Sequence, residues 1–266
     1  MKKYVLFLAV FFCITIPSCD IIEDAINTGQ GSAGTVYYWI TSDADTYVQC
    51  NLGVGGCSGG DFDQSGFDGV VVGNSVLGIQ RSYINFPKPV FPPGTVIEEA
   101  YFEMYHSGKN EDGKRDDILL EVHRVKTEWN AGTITYANQP IQTGSGGGEF
   151  NIKLESQNWS GTTNISGAMQ QELVDPSTFQ GFLIYISNFE PGYQKGFYSG
   201  NHKSRTINDL GFAPRLLLKV SLPDGYTTSD VTFGNAHSDG KGGMYFGFRF
   251  RTGLSWPAEW NLANVN

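Results

Sequence analysis

"TEWNAGTITYANQP", residues 127–140, poses the question on which the fold turns. Trp129 is followed by a turn containing Gly132, a β-prone run with Thr133 and Thr135 at alternate positions, and a polar turn closed by Pro140. The alternating threonines predict the next strand of a corner. Trp129 has two readings: a flat platform for a sugar ring, or a pin that closes the edge of a core with its indole N–H on a loop carbonyl. The apolar residues Leu120, Val122 and Val125 just before it form a strand that ends at the tryptophan, which favours the pin.

Outward from this stretch, the chain is built of short strands. Its 266 residues include 34 Gly, with 14% aromatic and 17% charged residues, a turn-rich β composition rather than that of a helical bundle. The length suffices for a sizeable core. "RSYINF" (81–86) puts Ile84 and Phe86 on one face, "AYFEMY" (100–105) does so with Ala100, Phe102 and Met104, and "PRLLLKV" (214–220) with Leu216, Leu218 and Val220. "MYFGFRFR" (244–251) alternates Met244, Phe246, Phe248 and Phe250 with Arg249 and Arg251 on the other side, a buried strand. "PKPVFPPG" (87–94), "SGKNEDGKRDD" (107–117) and "GSGGG" (144–148) are turn or loop chemistry. "ISGAMQQELVD" (165–175) is the one helical piece, with Met169 and Leu173 facing inward. The expectation is an all-β fold: a jelly-roll-type antiparallel β-sandwich with one short helix.

The N-terminal residues give an address. Lys2 and Lys3 precede an apolar run from Tyr4 to Ile16 that is too short to span a bilayer, and the small Ser18 precedes Cys19. Residues 1–18 are expected to be a secretory signal. "IPSC" (16–19) resembles the lipobox of bacterial lipoproteins, which makes Cys19 the lipidation site; cleavage by the ordinary signal peptidase nearby is the alternative. Residues 19–35, acidic and then rich in Gly and Ser, suit a flexible tether, followed by a sandwich over 36–222 and an extension over 223–266 packed on it. The acidic residues after Cys19 resemble an export signal of surface lipoproteins, so an outer-membrane, cell-surface location is expected.

Export also frames the charge and the cysteines. The net charge of −9 becomes −11 when Lys2 and Lys3 leave with the signal, which argues against nucleic acid as a partner and, unless basic residues cluster locally, against acidic polysaccharides. Cys13 leaves as well, so Cys50 and Cys57, flanking the flexible "NLGVGG" (51–56), are the mature pair beyond Cys19. A disulfide between them suits an oxidising compartment, two buried thiols being the alternative. In "DFDQSGFDG" (61–69), Asp61, Asp63 and Ser65 have the spacing of an acidic calcium loop, Gly66 holds the turn position, and Asp68 is a further oxygen donor. Val72 stands where an EF-hand supplies a bidentate glutamate, so weak calcium binding is weighed against a solvated acidic turn. No other cofactor is expected.

Catalytic patterns are sparse. His106, His123, His202 and His237 are scattered without metal-binding spacing, and the sequence contains no G-x-S-x-G elbow, Walker loop or Cys-x-x-Cys pair. A glycosidase pair among Glu121, Glu128, Glu155 and Glu190 depends on a carboxylate separation that sequence does not give. His123, Arg124 and Tyr136 form the nearest lyase-like set, yet 123 and 124 point to opposite faces of a strand. The expectation is no enzymatic activity. Outside the core-forming blocks, the aromatic supply for a sugar is Tyr193, Phe197, Tyr198 and, in "SWPAEW" (255–260), Trp256 and Trp260. Tyr193, Tyr198, Trp256 and Trp260 are the carbohydrate candidates.

"ADTYV" (44–48), "NLG" (51–53), "RSYINF" (81–86), "VIEEAYFEM" (96–104), "VHRVKTEWNAGTITYANQP" (122–140), "GFLI" (181–184), "FYSGN" (197–201) and "PRLLLKV" (214–220) together resemble the DNRLRE domain. That family is also described as the disaggregatase-related repeat and overlaps a carbohydrate-binding module family attached to alginate lyases. The resemblance runs from about Asp45 to Val220, and Trp129–Pro140 is its most specific block. It implies a secreted jelly-roll sandwich, usually non-catalytic, in which Trp129, its turn and Pro140 form a structural unit. The functional expectation is carbohydrate binding from a lipid-anchored surface protein. A structural or adhesion module that binds a protein partner comes second, and a polysaccharide-degrading enzyme third. A concave aromatic strip would mark the first; a flatter apolar patch rimmed by charge would mark the second.

Overall fold

A computed structural model of the chain describes residues 35–51, 69–75, 78–107, 118–140, 143–144, 149–152, 159–175, 178–186, 193–200, 212–234, 243–247 and 263–264. Strands are numbered in chain order. Among the described residues one sheet has the order β10 (Trp159–Gly161), β6 (Val96–Tyr105), β13 (Arg215–Ser221), β1 (Thr35–Thr41), β15 (Gly243–Gly247), β16 (Ala263–Asn264). The other runs β12 (Tyr193–Tyr198), β3 (Gly69–Ser75), β4 (Gly78–Asn85), β11 (Phe182–Ile186), β7 (Ile118–Val125), β8 (Thr143–Gly144). β2 (Ala44–Asn51) also pairs with β4, and β9 (Glu149–Ile152) with β7. β5 (Lys88–Val90) and β14 (Thr232–Gly234) form a separate ribbon.

The pairings are antiparallel, and the chain crosses repeatedly between the sheets: β1 to β2–β4, back at β6, over at β7, back at β10, over at β11 and β12, and back at β13. This is the expected antiparallel jelly-roll-type sandwich with one short helix. The period-two pattern explains it, because each strand has one apolar face and the two faces bury each other. Ala100, Phe102 and Met104 of β6 and Leu216, Leu218 and Val220 of β13 are buried against Ile84 of β4, Leu120 and Val122 of β7, and Phe182 and Ile184 of β11. At the centre, the Phe102 and Phe182 rings lie 4.8 Å apart, and Phe86 meets both edge-on at 6.0 Å.

The helical segment caps this core. α1 (Ser166–Met169) continues as a π-helical turn over Gln170–Val174, burying Met169 and Leu173 as the spacing predicted. The segment leading into it protects the rim of β6. Thr162 Oγ1 accepts from Phe102 N, Asn164 Oδ1 from Ala100 N and Gln170 Oε1 from Ile97 N, so side chains occupy edge donors that another strand would otherwise take. At the far end of β6, His106 bridges Phe197 of β12, and Ser107 N donates to the Gly196 carbonyl at 2.9 Å. The two sheets thereby meet at one corner.

One expectation fails in the opening stretch. Residues 131–138 form two consecutive turns, not a strand with alternating threonines. Asparagine side chains account for the difference. Asn130 Oδ1 accepts from Gly132 N at 2.8 Å and its main-chain oxygen from Thr133 N and Ile134 N, while Asn138 Oδ1 accepts from Thr135 N at 2.6 Å. These local bonds satisfy donors that a ladder would have used.

Of the residues after Leu222, β14 lies beside β5, and β15 and β16 extend the first sheet beyond β1. Phe248 and Phe250 lie outside the described residues.

Candidate functional site

Where β6, β10, β12 and the approach to β13 converge, four half-buried aromatic rings form a continuous cluster. The register sets it up: Trp159 is the cross-strand partner of Tyr105, and the His106–Phe197 bridge makes Tyr105 and Tyr198 neighbours across the corner. Phe212 lies 4.1 Å from Tyr105 and 5.1 Å from Tyr198, ring centre to ring centre, and Trp159 meets Tyr105 edge-on at 5.3 Å. Alternation places Tyr105 on the face of β6 opposite Phe102 and Met104, and Tyr198 on the face of β12 opposite the buried Phe197. Burial raises the Tyr105 phenol above its ordinary pKa, with Tyr198 adding to the shift.

A buried ion pair braces the cluster from below. Arg215 of β13 faces Glu103 of β6 in register, and its Nε and Nη2 reach one Glu103 oxygen at 2.9 and 2.6 Å. The Arg215 guanidinium lies 3.4 Å from the centre of the Trp159 ring, so the cation holds the indole by its face. Burial pulls Arg215 down to about 10 and Glu103 counteracts it, so the guanidinium is charged at neutral pH. The close approach of β10 needs Gly161, where a β-carbon would sit 2.5 Å from Glu103 Cγ and 2.8 Å from the Phe102 carbonyl oxygen. At the other side, Asp45 Oδ2 accepts from Gly200 N at 2.7 Å and from Ser42 Oγ at 2.9 Å, tying the turn after Tyr198 to the β1–β2 turn.

The stretch at 127–140 occupies the outer face of the second sheet. Val48, Tyr83, Val125, Leu183 and Ile134 form a second buried cluster, against which Trp129, Tyr136 and Tyr185 pack. The Trp129 indole N–H donates to the Gln180 carbonyl at 2.7 Å, and its ring meets Tyr83 at 5.5 Å. Tyr83 Oη donates to Gln139 Oε1 at 3.0 Å and is 3.1 Å from the Pro140 carbonyl oxygen, which closes the unit. Trp129 and its neighbours Thr127, Glu128, Asn130, Thr133, Ile134, Asn138 and Pro140 line an open pocket of about 410 Å³.

The lyase-like set divides as strand alternation requires. Arg124 points inward to the buried Glu172, which Lys126 also approaches at 3.1 Å. His123 lies on the outer face, stacked on Tyr185 at 5.0 Å and 3.1 Å from Glu121, to which the Tyr185 hydroxyl donates at 2.8 Å. Tyr136 packs instead beneath the guanidinium of Arg81, 5.2 Å from the ring centre. Glu128 is exposed at the pocket rim, and His106 is fully buried.

Of the carbohydrate candidates, Tyr198 is in the aromatic cluster, and Tyr193 is on β12 opposite Asn74. Tyr105, Trp159 and Phe212 were missed because three separate segments supply them, though the outward register of Tyr105 was visible in "AYFEMY". Cys50 is fully buried on β2. Cys19, Cys57, Asp61, Asp63, Ser65, Asp68, Glu155, Glu190, His202, His237, Trp256 and Trp260 lie outside the described residues. Among the described residues, no group of three or more His, Cys, Asp or Glu side chains is placed to hold a metal ion.

Fold and site define a β-sandwich with an aromatic patch at one corner. No protein-family model matches the chain, and no curated protein matches it.

Proposed function

We propose that this chain is a non-catalytic carbohydrate-binding β-sandwich of the DNRLRE type, carried on the cell surface by a lipid on Cys19. The observation that carries the proposal is the ring cluster of Tyr105, Trp159, Tyr198 and Phe212. Sugar C–H faces stack on aromatic faces, and tyrosine hydroxyls at the same surface bond sugar hydroxyls. A binding platform must be preorganised to be effective, and the Arg215–Glu103 pair under Trp159 supplies that rigidity. A glycan-array screen of the full chain tests the reading. Binding to a neutral polysaccharide, lost in Tyr198→Ala, supports it; an array without a hit favours the adhesion reading.

Three accessory proposals belong to the same picture. Cleavage before Cys19 is tested by membrane partitioning of Cys19→Ala. Pairing of Cys50 with Cys57 is supported by the complete burial of Cys50 on β2 and is tested by peptide mapping without reduction. Weak calcium binding at Asp61, Asp63, Ser65 and Asp68 is tested by melting the chain in calcium and in chelator.

A further inference from the structure

We propose a second binding site in the pocket beside Trp129, specific for a single neutral sugar ring such as a chain end. The inference takes its ligand class from the carbohydrate reading, but it concerns the outer face of the second sheet rather than the aromatic corner. The pocket's roughly 410 Å³ lies in the lower part of the 300–1,000 Å³ range of small-molecule sites, suiting one ring rather than a chain.

Its walls are fixed without any ligand. The indole is held by Gln180 and Tyr83, while Asn130 and Asn138 spend their side-chain oxygens on Gly132 N and Thr135 N. Asn138 Nδ2 also donates to the Thr133 carbonyl at 3.0 Å, locking the two turns together. What remains for a ligand is a complementary set: the Glu128 carboxylate and the hydroxyls of Thr127 and Thr133, with the Asn130 amide N–H₂ as donor and the half-buried indole as apolar wall.

A carboxylate accepts from two adjacent hydroxyl groups, and an amide N–H₂ donates to a third oxygen. A pyranose presents hydroxyls and a C–H face in that combination. An acidic sugar would bring its own carboxylate against Glu128, so the site discriminates in favour of neutral rings.

The test is ligand-observed saturation-transfer NMR on the full chain with methyl glycosides of glucose, galactose, mannose and glucuronic acid. At least one neutral glycoside is expected to bind. Glu128→Gln and Thr133→Val should each weaken it about fivefold, as expected for loss of one hydrogen bond, with unchanged melting temperature. Tyr198→Ala should leave it intact. Absence of binding by every neutral glycoside, equal binding of the glucuronide, or unchanged affinity in Glu128→Gln would overturn the proposal. Loss of monosaccharide binding in Tyr198→Ala would assign the ring to the aromatic corner and overturn it too.

Discussion

The indole N–H of Trp129 donates to the main-chain oxygen of Gln180 at 2.7 Å, joining two loops 51 positions apart in sequence. The bond is reinforced locally, because Val125 N donates to the Gly181 carbonyl at 2.9 Å and Gln180 N to the Val125 carbonyl at 2.7 Å. Trp129 is therefore a pin that also lines a pocket. Trp129→Ala should destabilise the fold by about 3 kcal/mol. Trp129→Phe retains a ring against Tyr83 but loses the hydrogen bond, a cost of about 1 kcal/mol plus the smaller buried area. Urea unfolding of both variants checks the order; equal midpoints for Trp129→Ala and wild type would remove the pin.

Gly181, next to that carbonyl, has φ of 89° and no room for a side chain: a β-carbon would lie 2.0 Å from the Ile84 carbonyl oxygen. Gly181→Ala should cost at least about 2 kcal/mol from the backbone conformation, before the clash is counted. The measurement is a thermal melt against wild type, and a shift within error would refute the close approach of β11 to β4.

Glu103 and Arg215 form a pair whose loss is asymmetric. Glu103→Gln leaves a buried guanidinium under the Trp159 ring without its counter-charge and should cost about 3–5 kcal/mol. Arg215→Met alone strands the carboxylate. The double variant should be less destabilised than the sum of the singles, because neither charge is then left behind. A double-mutant cycle by urea unfolding measures the coupling, and strict additivity would contradict it.

Tyr185 should remain protonated well into the alkaline range. Burial raises its phenol to about 12, helped by its hydrogen bond to Glu121 and by that carboxylate's charge. Since the folded value lies above the unfolded value of about 10, this group's contribution to stability is complete below pH 10 and is lost as pH rises towards 12. The wild type should thus lose more stability than Tyr185→Phe between pH 10 and 12. Parallel slopes for the two proteins in urea melts across that window would contradict the shift.

The fold was largely legible because period-two alternation is a local property: the inward residues of "AYFEMY", "RSYINF" and "PRLLLKV" are all buried in the sandwich core. Thr133 and Thr135 misled because a β-branched residue signals a strand only where the backbone donors are free for a ladder, and Asn130 and Asn138 had claimed them. The aromatic corner was only partly legible. Tyr198 was a candidate from composition, but Tyr105, Trp159 and Phe212 join it through the β6–β10 register and the β6–β12 bridge, long-range pairings that one-dimensional spacing does not encode. The Arg215–Glu103 pair is similarly a product of the β13–β6 register across 112 positions.

If the corner cluster binds a polysaccharide, as proposed, its outward rings must carry the affinity. Isothermal titration of the full chain with the neutral polysaccharide selected on a glycan array tests it most directly, comparing wild type with Tyr198→Ala plus Phe212→Ala. Loss of two stacking rings should weaken binding by about tenfold or more. Unchanged affinity in a folded Tyr198→Ala plus Phe212→Ala variant, or no polysaccharide bound by the wild type, would contradict the claim.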